Sequence, residues 1–399
     1  MKYQIINGNN IDVLKTFPDD HFDSIVTDPP YGIDFLGKSW DANTGALETY
    51  QECLRVLKPG GHILAFSAAR TYHHLAITLE QAGFEIRDQI MWIYSSGFPK
   101  SQDVGRSIER SKNKQAERTK SAGYNPSGEN KPVDIGVNGF RCYTCGKDSA
   151  ARYDCKNDPC QLHPPLEDDE AQKWNGWGTA LKPAHEPIAL ARKPIKGSIR
   201  DNVVKHGTGA INIDATRVPI QGTDTRSGGT NGHSRLTFGE GITSNEDSHI
   251  AYQASEQGRF PSNVIGEILQ DDYQKYFYCP KVSRRERHAG FDLTTIPTDP
   301  SGKYDNGGYS ANQETLKASG NNHPTVKPIE LMKYLIKLVT PPNGIVLDPF
   351  NGSGSTGCAA VELGCEYVGI ELDPKYVEIA TKRIEAWNKE DTAFKEIFE

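Results

Sequence analysis

The chain has 399 residues, of which 24% are charged and 36% hydrophobic, and a formal net charge of −7. This length accommodates one large α/β domain with a sizeable insertion, or two domains. No apolar run approaches the ~18 residues of a membrane span, and the N-terminus lacks a basic-then-apolar leader. A cytoplasmic protein with no membrane partner is expected, and the negative balance does not by itself point to nucleic acid, whose binders are commonly basic overall.

Residues 1–98 alternate short β-like runs with helical patterns. Strands are expected at Tyr3–Asn7, Asp23–Thr27, His62–Phe66 and Phe84–Tyr94, and helices near Ile11–Phe17, Glu48–Leu57 and Thr71–Gln81. This is the rhythm of a parallel sheet with crossover helices. Residues 99–322 lose it and become rich in Gly, Ser, Asn, Pro and charge, above all over Gln221–Gly258 and Thr298–Asn322. Shorter ordered signals recur at Pro187–Ala191, Ala210–Ile213, Phe260–Ile265 and Tyr276–Cys279, so the middle reads as an inserted recognition region with small structured pieces of its own. Two of its stretches are basic: Lys182–Arg217, with seven Lys/Arg against three Asp/Glu, and Lys281–Arg287. Such runs are usually solvated surface, but they make a local cationic face available. The α/β rhythm returns over residues 323–399. A helix is expected at Pro328–Val339, a strand at Gly344–Leu347, then a glycine-rich turn, a helix through Leu363, a strand at Tyr367–Ile370 and a closing helix at Tyr376–Trp387. Both ends of the chain belong to one fold.

Four of the eight cysteines cluster: Cys142 and Cys145 in a C-x2-C pair, then Cys155 and Cys160. Four thiolates at this spacing suit a closed tetrahedral zinc site in a module at about residues 140–163, which has too few apolar residues to fold alone. Surface thiols and disulfides are the alternatives. Cys53, Cys279, Cys358 and Cys365 are scattered and read as packing residues.

The turn Asp348-Pro349-Phe350-Asn351-Gly352-Ser353-Gly354, with Gly357 beyond it, satisfies G-x-G-x-x-G, and Glu371 and Asp373 end the next strand. Spacing alone fits a dinucleotide site, another nucleoside cofactor or a tight structural turn. The carboxylate of Asp348 ahead of the turn shifts the balance. It would repel a pyrophosphate and attract the ammonium of a methionine-like cofactor, which favours S-adenosylmethionine.

Asp28-Pro29-Pro30-Tyr31 follows an apolar strand. The exocyclic amine of a nucleobase is a poor nucleophile because its lone pair is delocalised into the ring. A carboxylate and a neighbouring carbonyl that each accept one N–H would draw the nitrogen toward tetrahedral geometry and aim its lone pair at an activated methyl. Prolines stiffen the direction of that carbonyl, and Tyr31 can stack on a base rotated out of the duplex. In isolation the same four residues also suit a turn that closes a strand. Together with the glycine turn they favour the catalytic reading.

Through Asp23–Tyr31, Lys182–Ala191, His323–Pro328, Val346–Thr356 and Gly369–Glu371, the chain resembles the DNA amino-methyltransferases in which the catalytic motif precedes the cofactor motif. This is the beta arrangement of the adenine-N6/cytosine-N4 family, and the likeness is to its phage or prophage members. The resemblance implies an α/β fold: a doubly wound, Rossmann-like, seven-stranded methyltransferase sheet interrupted by a target-recognition region. It implies catalytic roles for Asp28, Pro29, Pro30 and Tyr31. S-adenosylmethionine would be surrounded by Asp28, by His323, Thr325 and Lys327, and by Asp348, Pro349, Phe350, Gly352, Ser353, Gly354 and Ser355, with Glu371 on its ribose. The family places an acidic residue after Gly8, where this chain has Asn9, whose amide oxygen can still accept from the adenine amine. Asp at the first catalytic position favours adenine N6 over cytosine N4, and a methyltransferase acting on RNA or on a protein amide is the further alternative. DNA with its target base flipped out is the expected partner, with a cognate restriction nuclease as a further one. Monomer and homodimer both remain open.

Overall fold

The computed structural model describes residues 3–33, 44–94, 101–117, 140–141, 148–149, 166–181, 183–218, 258, 260–266, 282–292 and 320–389. The chain divides into two compact units, one of residues 1–95, 185–299 and 303–399 and the other of residues 96–184 and 300–302.

Among the described residues, the larger unit is built on an eight-stranded sheet. In chain order its strands are β1 (Tyr3–Asn7), β2 (Phe22–Thr27), β3 (Leu57–Phe66) and β4 (Glu85–Ile93), then β7 (His185–Arg192), β8 (Val264–Gly266), β9 (Ile345–Asp348) and β10 (Glu366–Glu371). Across the sheet the order is β1-β10-β9-β2-β3-β7-β4-β8. β1 through β3 are parallel neighbours; β7 runs antiparallel to both β3 and β4. The first strand of the chain therefore pairs with the last, Tyr3 opposite Tyr367.

Successive residues of the central strands face opposite layers, as a period of two requires. Ile25, Ile63 and Ala65 enter one apolar core, with Leu14, Tyr50, Leu75 and Leu79 from α1 (Asn10–Leu14), α2 (Leu47–Val56) and α3 (Tyr72–Ala82). Val26, Leu64 and Phe66 enter the other, against α8 (Ile329–Val339), α9 (Ser355–Glu362) and α10 (Pro374–Lys389). All six residues of β2 are buried, as expected of a parallel strand covered on both faces. The larger unit also holds α6 (Ile199–His206) and α7 (Arg284–Arg287), and α8 turns Leu331, Met332, Leu335 and Ile336 inward at helical spacing. The doubly wound α/β fold is thus present.

Among the described residues the sheet has eight strands rather than the seven expected, the additional short one being β8, which pairs with β4. Residues 185–192, expected within the inserted region, belong to the larger unit. They form a strand inside the sheet, between β3 and β4, because Ile188-Ala189-Leu190-Ala191 is apolar at every position and buried on both faces.

The smaller unit holds α4 (Val104–Glu117), the short pair β5 (Phe140–Arg141) and β6 (Asp148–Ser149), and α5 (Asp169–Lys173). Asp168 caps α5 through Ala171 N and accepts from Lys112 of α4. Gly105 permits close helix contact, since a Cβ there would lie 2.7 Å from the Ala171 carbonyl.

Candidate active site

Parallel strands leave their carboxyl ends on one edge, where open α/β sheets bind ligands. Asp28 follows β2, Asp348 ends β9 and Glu371 ends β10. Because β7 is antiparallel, its amino end lies at this same edge: His185 pairs with Ile93 and Ile188 with Phe66. That reversal brings Glu186 to the carboxyl ends of β3 and β4.

Four side chains converge there. Lys327 Nζ lies 2.7 Å from Asp28 Oδ2, 3.0 Å from Tyr31 Oη and 3.2 Å from Glu186 Oε2. Tyr31 Oη is 2.9 Å from Asp28 Oδ1 and 2.9 Å from Glu186 Oε2. The Lys327 side chain is 7% exposed and its ammonium sits 4.8 Å from the centre of the Phe66 ring. Burial alone would lower the Lys327 pKa, but the facing carboxylates Asp28 and Glu186 raise it above its ordinary value, so the lysine is held as a cation. Burial and the same two carboxylates push the Tyr31 phenol well up. Burial and the nearby Glu186 carboxylate raise the phenol of Tyr94, which follows β4, above its ordinary value.

The glycine turn lies beside this cluster. Gly354 adopts φ 78° and starts α9, and a Cβ on Gly352 would meet His323 Nε2 at 3.0 Å. Arg383 of α10, fully buried, donates to the Ser353 carbonyl at 2.5 Å and to Ser355 Oγ at 3.3 Å, holding the turn from below. His323 Nδ1 lies 2.5 Å from the Thr325 carbonyl, and burial lowers the His323 pKa to about 4. The imidazole is therefore neutral at pH 7.

Asp348 is used differently from expectation. Its Oδ1 accepts from Thr27 at 2.6 Å and from Phe350 N at 3.1 Å, and its Oδ2 from Thr356 at 2.7 Å. The residue is 2% exposed, and desolvation raises its carboxyl to about 6. It ties β2, β9 and α9 together and does not stand open for an ammonium. Glu371 accepts from Gly352 N and Asp373 N, at 2.8 and 2.9 Å, and so fixes the turn to the end of β10. Asn9 caps α1 through Ile11 N at 2.9 Å. Neighbouring Asn10 donates to the Pro349 carbonyl at 3.2 Å. Pro29 is buried, Pro30 half-buried, and Phe350 packs near Tyr50 with ring centres 6.4 Å apart.

All the expected catalytic and cofactor residues thus lie at one edge of the sheet. Glu186 and Arg383 were missed. The former lay in a segment read as inserted, and the latter in a helix read only as a closing element; the Glu186–Lys327 pairing has no local sequence signal. The expected zinc ligands Cys142, Cys145, Cys155 and Cys160 lie outside the described residues, as do Cys279 and the segment Tyr276–Cys279. Among the described residues no group of three or more His, Cys, Asp or Glu could hold a metal, and Cys53, Cys358 and Cys365 are buried free thiols, as expected of packing residues. Among the described residues no helix is long and apolar enough to cross a membrane.

A family profile described as DNA methylase matches residues 22–382. Over 426 aligned residues the chain is 22% identical to the type II methyltransferase M.HindIII of Haemophilus influenzae, covering 95% of this chain and 94% of that protein. It is 36% identical over 128 residues to the type II methyltransferase M2.DpnII of Streptococcus pneumoniae, covering 32% of this chain and 47% of that one. Among solved structures, the complex of M1.HpyAVI with SAM aligns with a TM-score of 0.41 and 17% identity, covering 96% of this chain and 98% of the other.

Proposed function

Because the chain belongs to the N6/N4 DNA methylase family, we propose that it transfers a methyl group from S-adenosylmethionine to the N6 amine of adenine in DNA, with Asp28 and Pro29 holding the amine. The convergence of Asp28, Tyr31, Lys327 and the glycine turn on one sheet edge carries this reading.

The residues fit the cofactor. Glu371 and Asp373 give this edge an acidic character that suits a cationic sulfonium and ammonium and opposes a pyrophosphate. Gly352 and Gly354 give the turn its positive φ angles and let it pack closely on the protein, where a Cβ would meet His323 and Ala380, each at 3.0 Å. In this reading Pro349, Phe350, Ser353, Ser355, His323 and Thr325 line the methionine side. Glu371, with lone pairs beyond those its two backbone donors use, takes the ribose hydroxyls; Asn9 lies toward the adenine. Asp348 shapes the pocket from behind. The bound cofactor would supply an electrophilic methyl on sulfur.

The chain's own work is to hold and polarise the amine. Asp28 and the Pro29 carbonyl each accept one N–H, and the two prolines keep them from turning away. Tyr31 lies over the flipped base. The inserted region supplies phosphate contacts and sequence readout, and the basic stretches suit the former. A cysteine-bound zinc at Cys142, Cys145, Cys155 and Cys160 and a partner nuclease belong to the same proposal, which is compatible with a monomer or a homodimer. Elemental analysis of the purified protein should find about one zinc per chain, removed when the four cysteines are replaced by serine.

The reaction is tested by incubating unmethylated DNA with S-adenosylmethionine and enzyme, then digesting to nucleosides for mass spectrometry. N6-methyladenine is expected, and Asp28→Ala should reduce it by at least about a thousandfold while cofactor binding persists. N4-methylcytosine would keep the mechanism and overturn the choice of base. An Asp28→Ala enzyme with full activity would remove the assigned mechanism.

A further inference from the structure

Methylation leaves the target nitrogen with one proton too many, and that proton must go somewhere. As the amine lone pair forms the N–C bond, the S–C bond breaks with its electrons remaining on sulfur. The nitrogen then carries a methyl, two hydrogens and a positive charge. One N–H must break, returning its electron pair to nitrogen and its proton to a base.

We propose that Glu186 is the final receiver of this proton within the protein, reached from Asp28 through the Tyr31 hydroxyl. The inference rests on the amine-methylation reading of the site. Asp28 takes the proton from the amine. Tyr31 then accepts a proton from Asp28 while passing its own to Glu186, so Asp28 is restored as a carboxylate and the phenol is unchanged. Glu186 later returns the proton to solvent.

The geometry holds a place for this proton. Tyr31 Oη makes two oxygen–oxygen contacts of 2.9 Å, to Asp28 Oδ1 and to Glu186 Oε2. A phenol has one hydrogen, so it can fill only one of them at a time. The other contact joins two oxygens with no hydrogen from the phenol between them, and a proton delivered to Asp28 supplies what that contact lacks. Charge favours the same event. Two carboxylates face one ammonium, Lys327, within 3.2 Å, which leaves the cluster one negative charge in a largely buried site. Uptake of a proton makes it neutral.

Lys327 is not the receiver. Asp28 and Glu186 keep it protonated, so it has no lone pair to offer. Its three donors go to Asp28, Tyr31 and Glu186, and its place is to fix their spacing. The groups facing Glu186 are Lys327 ahead of α8, Tyr31 with Asp28 behind it after β2, and Tyr94 after β4. Glu186 does not touch the base and acts only through Tyr31.

Single-turnover methylation, with enzyme in excess over a DNA substrate, separates this step from product release. Glu186→Gln should slow the single-turnover rate about 10- to 100-fold at pH 7, with S-adenosylmethionine and DNA affinities unchanged. The deficit should shrink as pH rises and hydroxide replaces the lost acceptor. Glu186→Asp should recover part of the rate. Tyr31→Phe, which removes the bridge but leaves both carboxylates, should be slow in the same pH-dependent way, and the double variant Tyr31→Phe/Glu186→Gln no slower than the slower single one. A Glu186→Gln rate equal to wild type, a loss carried by affinity, or a loss that is the same at every pH would overturn the proposal. A wild-type enzyme that methylates no amine at all would remove the underlying reading instead, so the two failures are distinguishable.

Discussion

At the residue scale, several ionisable groups sit where water cannot solvate them, and their signs make stability depend on pH. His62 and His323 are both lowered to about 4, chiefly by burial. Between the unfolded value of ~6.5 and 4, the unfolded chain takes up protons that these two residues refuse in the folded state, so stability falls as pH drops through that window. Asp348 acts the other way. Burial raises its carboxyl to about 6, so the folded state keeps its proton between 4 and 6 and this contribution strengthens on acidification. Two histidines outweigh one aspartate, and their net contribution is a loss of stability toward pH 4.5. Thermal melting at pH 7 and pH 4.5 should show a smaller acid-induced drop for His62→Gln than for wild type, and a larger one for Asp348→Asn. Equal drops in all three proteins would contradict these assignments.

The residue scale also shows what a motif conceals. Asp28 and Tyr31 were legible because four residues in a row carry a complete chemical proposal. Asp348 was legible as important but not in its geometry. Its hydrogen bonds to Thr27 and Thr356 join residues 321 and 8 positions away, and nothing local marks Thr27 as its partner.

At the element scale, the glycine turn depends on how closely α9 and α10 approach. Gly357 lies in α9 where a Cβ would come 2.3 Å from Ile384 Cδ1 and 2.7 Å from Tyr367 Cε1. Gly357→Ala should therefore push α10 outward, carry Arg383 away from Ser353 and cost about 1–3 kcal/mol of stability. A urea titration would measure the stability, and calorimetry should show weakened S-adenosylmethionine binding in the same variant. Unchanged binding would mean that Arg383 does not govern the turn.

β7 is the element whose sequence signal was read but misplaced. Pro187–Ala191 stood out as ordered, yet its surroundings are rich in charge and glycine and look like the rest of the middle region. A short apolar run does not state which sheet it joins or in which direction. Its antiparallel insertion between β3 and β4 is what delivers Glu186 to the catalytic edge.

At the scale of the whole molecule, the sheet is completed by pairing the two ends of the chain: β1 on β10, and β2 on β9. A ligand that bridges residues near 28, 323 and 371 should thus stabilise the larger unit cooperatively. At a hundred times its dissociation constant S-adenosylmethionine should add about 2.7 kcal/mol, read as a rise in melting temperature. Asp28→Ala should keep most of that rise while losing methylation. Loss of both together would place Asp28 in cofactor binding rather than in handling the amine.

The sequence by itself determined the α/β class and the family, and marked the Asp28–Tyr31 motif and the glycine turn, because each is written in contiguous residues: strand and helix periods, prolines that fix φ, glycines that permit a turn. Only the tertiary structure decided where in the sheet residues 185–192 lie and in which direction they run, that Asp348 is an internal bracket, and that Lys327 meets Asp28 and Glu186 meets Tyr31 across separations of 299 and 155 residues. Those facts depend on strand order and direction, which are set by how apolar faces pack and which backbones pair over long distances, and no local stretch of the chain encodes either.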